Sequence, residues 1–146
     1  MMKPGVKRIL AIITGMALGS AVNMLILHAG TAYMIPPPAG ANISSPEALA
    51  ASMPLFQPKH FVFPFLAHAL GTLFGSVTAA LISPLSPLRT SLPVGILFLL
   101  GGAYMVYELP SPAWFNVLDL TCAYIPMAFA GAVLVKKIRE ARSKNN

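Results

Sequence analysis

Four long apolar runs dominate the chain, at residues 9–35, 61–82, 92–107 and 113–135. None alternates apolar and polar positions in the period-two manner of a barrel strand. A membrane-spanning helix needs about 20 mostly apolar residues, since each residue rises 1.5 Å across roughly 30 Å of hydrocarbon. Prolines and glycines bracket the runs. Pro36-Pro37-Pro38 closes the first, Ser83-Pro84 follows the second, and Pro110 and Pro112 follow the third. The pattern predicts an all-α polytopic membrane protein, a single domain over residues 1–146 built as a four-helix transmembrane bundle.

The longest polar stretch, residues 36–59, joins the first two runs. Ser44-Ser45-Pro46-Glu47 inside it reads as a helix start, with Ser44 as cap and Glu47 three residues on to reach back to it. Residues 48–53 are then a short amphipathic helix, lying on the membrane or capping the bundle.

Composition narrows the class. Of 146 residues 10% are charged and 56% are apolar, against about 25% charged in an ordinary soluble domain. A soluble globule, a disordered chain and a disulfide scaffold are excluded. Cys122 is the sole cysteine, so the chain offers neither an internal disulfide nor a thiolate metal cluster. No cofactor is implied. The spacing of His28, His60 and His68 builds no metal site, because the last two stand about 12 Å apart along one helix.

Charge placement sets the orientation. Nine of the ten Lys and Arg residues fall before the first run, in the connection at Arg89, or in a basic tail over 136–146; Lys59 is the exception. Basic residues flanking short loops stay on the cytoplasmic side. Both termini are therefore expected in the cytoplasm, in a bacterial inner membrane. A basic start followed by an apolar run also suggests a cleaved signal peptide, but that run exceeds the usual 7–15-residue signal core. Without aromatic-basic interleaving, the net charge of +6 does not point to nucleic acid.

Small residues share helix faces. Gly15 and Gly19 on the first helix, and Gly71 and Gly75 on the second, are small-xxx-small pairs that let backbones approach closely. They serve packing within the bundle, or contact with a second copy or a membrane-complex partner. Asn116, Asp119, Ala123, Pro126 and Ala130 form a further stripe along the fourth helix, read as continuous.

Ionisable groups gather toward the outer side. His28, His60 and Glu108 are placed at the outer mouth. His68 and Asp119 lie deeper, each on a small-residue face. A carboxylate inside a spanning helix costs about 2.5–3.5 kcal/mol on insertion scales, which a His–Asp pair would relieve. Asn23, Asn116 and Thr72 complete a candidate polar cavity. Thr72 and Ser76 follow His68 along the helix, where such hydroxyls ordinarily bond to their own backbone. The cavity suggests passage of a proton, ion or small solute. A non-catalytic accessory subunit of a membrane complex is the alternative, and a membrane-embedded enzyme with His68 as base the third reading. The partners expected are the lipid bilayer and a second copy or complex subunit.

Overall fold

The computed structural model describes residues 3–145, and all regular structure within them is helical. Helix α1 (Pro4–Ala29) continues as one wider turn over Gly30–Met34; α2 (Pro46–Ser52) lies in the long loop; α3 (Val62–Ile82), α4 (Pro87–Glu108), α5 (Ala113–Cys122) and α6 (Ile125–Lys144) follow. Four segments are long and apolar enough to cross a membrane, Pro4–Met34, Pro58–Ile82, Pro87–Glu108 and Ala113–Lys144. They mark an integral membrane protein. The bundle has a loop face, carrying residues 35–61 and 109–112, and a terminal face, carrying the start of α1, the end of α6 and the turn at 83–86.

Helix α3 is central and packs on α1, α4, α5 and α6. Its contact with α1 is made by the two glycine pairs. A Cβ on Gly19 would lie 2.6 Å from the Gly71 carbonyl oxygen, and one on Gly75 would lie 2.7 Å from that of Gly15. Real Cβ atoms do not come so close, so this backbone approach requires glycine at both pairs. The small-xxx-small faces are turned on each other within one chain.

Proline shapes the helices in ways the apolar pattern did not convey. The third span begins at Pro87, not near residue 92, and runs through Pro93. Pro93 has no N–H to offer the Arg89 carbonyl four residues back. That carbonyl instead accepts from Arg8 Nη2 at 2.7 Å, tying α1 to α4. Arg89 is thus part of a helix, not of a connection. The fourth span is broken. Pro126 cannot bond to Cys122, and the helix interrupts at Ala123 and Tyr124 before α6 starts. The break turns the buried face: Asp119 and Ala123 are buried, but Pro126 and Ala130 are exposed, and Ala128, Gly131, Ala132 and Val135 take over the inner side.

Residues 136–144 are not a loose tail. They continue α6, and Arg139 folds back under α3. Its Nη1 donates to the Leu85 carbonyl at 2.8 Å, and its Nη2 to those of Ala80 and Ser83, the latter at 2.7 Å. Ala80 lies in the last turn of α3, whose end carbonyls lack partners within the helix, and Ser83 and Leu85 lie in the turn that follows.

Helix α2 caps the loop face. Its N-cap is Ser45, one residue later than the sequence suggested, and the Ser45 hydroxyl accepts from the Ala48 N–H at 3.2 Å. The backbone N–H at Glu47, and then the Ser45 hydroxyl, hold the Glu47 carboxyl below the usual glutamate range. Met53 packs with Phe61 and Phe115 in a small core joined by Leu49, Phe56, Phe65 and Leu109. Ser52 pins the loop by exchanging bonds with the backbone of Asn42, at 2.9 and 3.2 Å.

The glycine contact yields a direct test. Gly75→Ala should lower stability in detergent by about 1–3 kcal/mol through overpacking. Gly101→Ala, where a Cβ meets nothing within 4 Å, should change it by less than about 0.5 kcal/mol. Equal losses by thermal or steric-trap unfolding would show that the α1–α3 approach is not tight.

Candidate functional site

Helices α3 and α5 both run from the loop face inward. His68 and Asp119 each stand six residues past their helix starts, about 9 Å deep at 1.5 Å per residue. Equal depth on adjacent helices brings them together. His68 Nδ1 lies 2.8 Å from Asp119 Oδ1 and 2.9 Å from Oδ2. The break before α6 brings a third group: the Tyr124 hydroxyl donates to Asp119 Oδ2 at 2.8 Å. The Tyr124 ring stacks on the imidazole, with centroids 5.7 Å apart and planes 28° from parallel.

The ring needs room, and Gly102 of α4 provides it; a Cβ there would run into the Tyr124 hydroxyl. Tyr124 was not singled out by the sequence. On a continuous helix Tyr124 would point about 140° away from Asp119 at 100° per residue. Pro126 was the available signal for the break.

Asp119 is 3% exposed. It accepts from two donors, the imidazole N–H and the phenol O–H, which is how a buried carboxylate is ordinarily satisfied. His68 is less enclosed, its side chain 26% exposed. Nε2 has no hydrogen-bond partner among the described residues, and it is not among their sealed, unpartnered atoms. One nitrogen of the ring is therefore committed to Asp119 and the other is free.

The remaining candidates are placed differently. Asn23 is half-buried on α1 and abuts Gly71, with its Cβ 3.0 Å from where a Gly71 Cβ would stand. It lies outside the hydrogen-bonded cluster. Asn116 turns back to the start of α5: Oδ1 accepts from Ser111 Oγ at 2.6 Å and Nδ2 donates to the Ser111 carbonyl at 3.2 Å. His60 holds the turn before α3, its Nδ1 accepting from the Gln57 N–H at 2.9 Å. His28 and Glu108 are exposed near the loop face. Thr72 is buried one turn below His68.

The expected polar cavity is instead a compact knot of three side chains. A groove of about 430 Å³ does lie above it between α3 and α5, but its lining is apolar, including Phe61, Phe65, Leu66, Trp114, Phe115 and Leu118, and His68 is not part of it. No protein-family model, curated protein or solved structure matches the chain. What the site does must be argued from its chemistry.

The Nδ1–Asp119 bond predicts that neutral His68 carries its proton on Nδ1, readable from its ¹⁵N shifts. In double-mutant cycles His68→Ala and Asp119→Ala should couple by about 1–2 kcal/mol, near the upper end for hydrogen bonds within membranes. Tyr124→Phe and Gly102→Ala should each shift the His68 ¹⁵N signals. Additive stabilities and an Nε2–H tautomer would refute the geometry.

Proposed function

We propose that this protein is a small inner-membrane carrier of protons, with the loop face outward and both termini in the cytoplasm. The single observation behind this reading is the free Nε2 of an imidazole whose Nδ1 is held by a buried carboxylate. With Asp119 ionised and Nε2 bare, the cluster is singly negative. A proton taken on Nε2 makes an imidazolium–carboxylate pair, neutral as a whole. A neutral loaded state is cheaper to hold in a low-dielectric bundle than a charged one. Histidine is suited to the exchange, since one ring nitrogen can take up a proton while the other keeps its bond to the carboxylate.

The compactness of the knot favours a proton over a larger solute. Charge placement favours the orientation: nine of ten basic residues border the terminal face. The accessory-subunit reading draws on α1. Only a narrow stripe of that helix, Ala11, Gly15 and Gly19, is buried, while Ile9, Ile13, Met24 and Leu25 face outward. A partner helix, a second copy or lipid would cover that apolar face. The embedded-enzyme reading has less to draw on, because the apolar groove between α3 and α5 does not include His68.

The test is proton flux into proteoliposomes under an imposed pH gradient, followed with a trapped pH-sensitive dye. Wild-type protein should collapse the gradient faster than empty vesicles. His68→Gln and Asp119→Asn should each slow it at least tenfold. Wild-type rates equal to those of protein-free vesicles would end the carrier reading.

A further inference from the structure

Below the knot a series of hydroxyls continues inward. Thr72 and Ser76 follow His68 on α3 at steps of four, so all three share one face. Ser76 faces Ser91 of α4. Ser91 Oγ donates to the Ser76 carbonyl at 3.2 Å, and Ser76 Oγ to that of Ser91 at 3.5 Å. Nearer the terminal face, Thr90 Oγ1 donates to Ser83 Oγ at 3.0 Å. These five hydroxyl residues are each at most 2% exposed. They run from the His68 level to the turn gripped by Arg139.

Thr72 differs from the others. Its Oγ1 is sealed from the surface and has no hydrogen-bond partner among the described residues. A threonine in a helix has a ready outlet in the carbonyl four residues back. Thr14 takes it at 2.9 Å, Thr31 at 2.8 Å and Thr121 at 2.6 Å. Thr72 does not bond to the His68 carbonyl. Leaving a buried hydroxyl unsatisfied costs about 1–3 kcal/mol, so a partner is called for. Successive groups on this face are one turn apart, about 6 Å, and two hydrogen bonds of about 2.8 Å through a single water span nearly that distance.

We propose that Thr72 binds a buried water that links the His68–Asp119–Tyr124 knot to the Ser76–Ser91 pair, and that this water is the first inward step of the proton path. The inference rests on the proton reading of the knot. In the transfer the imidazolium gives up an N–H proton to the water and becomes neutral imidazole. The water passes one of its own protons to the next hydroxyl oxygen, which releases its proton in turn. Only N–H and O–H bonds form and break, and one positive charge moves inward. The Arg139 guanidinium opposes that charge at the terminal face, so the path is closed there in this conformation.

The experiment pairs two readouts on the full chain in lipid bilayers. Water-edited solid-state NMR should show polarisation passing from water to Thr72 in wild-type protein and in Thr72→Ser, but not to position 72 in Thr72→Val. Proton flux should fall at least tenfold in Thr72→Val and recover in Thr72→Ser, with the ¹⁵N shift of the Asp119-bound His68 Nδ1 unchanged in both. Absence of water transfer at Thr72 in the wild type, or full flux in Thr72→Val, overturns the proposal. A wild type that carries no protons removes the carrier reading and with it the path, and the NMR signal alone then decides whether Thr72 holds water.

Discussion

Asp119 is a carboxylate with almost no access to solvent, placed in a helix that is otherwise built for hydrocarbon. Much of the surrounding arrangement answers that demand. An imidazole N–H arrives from α3 and a phenol O–H from the start of α6, and Gly102 on α4 leaves the phenol its space. Four helices thus meet at one carboxyl group. Removing either donor would leave the buried carboxylate one hydrogen bond short, and a polar group left short of partners away from solvent is costly.

The depth at which the cluster sits is fixed by contacts elsewhere. The α1–α3 approach, backbone against backbone at Gly15–Gly75 and Gly19–Gly71, sets how α3 stands in the bundle. At the terminal face Arg139 takes up the Ala80 carbonyl in the last turn of α3 and those of Ser83 and Leu85 in the turn that follows, and Arg8 takes the carbonyl that Pro93 leaves open in α4. These guanidinium bonds replace helix bonds that sequence and geometry deny. They also give two of the basic residues a structural role.

Four spans, their approximate limits and the meeting of His68 with Asp119 were legible in the chain, because each depends on one local rule. Apolar run length gives the span, and shared depth on inward-facing stripes gives the pair. Tyr124 was not legible, since a continuous helix aims it away from Asp119 and only the interruption before Pro126 brings it round. The grouping of Asn23 and Asn116 with the site failed for a related reason. A helical face says which way a side chain can point, whereas Ser111, five residues from Asn116, decides where its amide bonds. Arg139 looked like one of several tail cations because the carbonyls that bind it belong to the end of α3 and the turn after it, more than fifty residues away.

A structural clamp and a proton-exchanging group would use the same two residues, and the atoms involved separate them. Clamping α5 to α3 requires one N–H donor aimed at Asp119, and Nδ1 supplies it. A glutamine or asparagine amide could do as much. The second ring nitrogen adds nothing to the clamp: it bonds to no described residue, on a side chain that is one-quarter exposed while its partner is buried. A nitrogen that can take a proton, kept open beside a carboxylate that cannot reach solvent, is surplus to packing. That surplus is what the proposed proton exchange rests on.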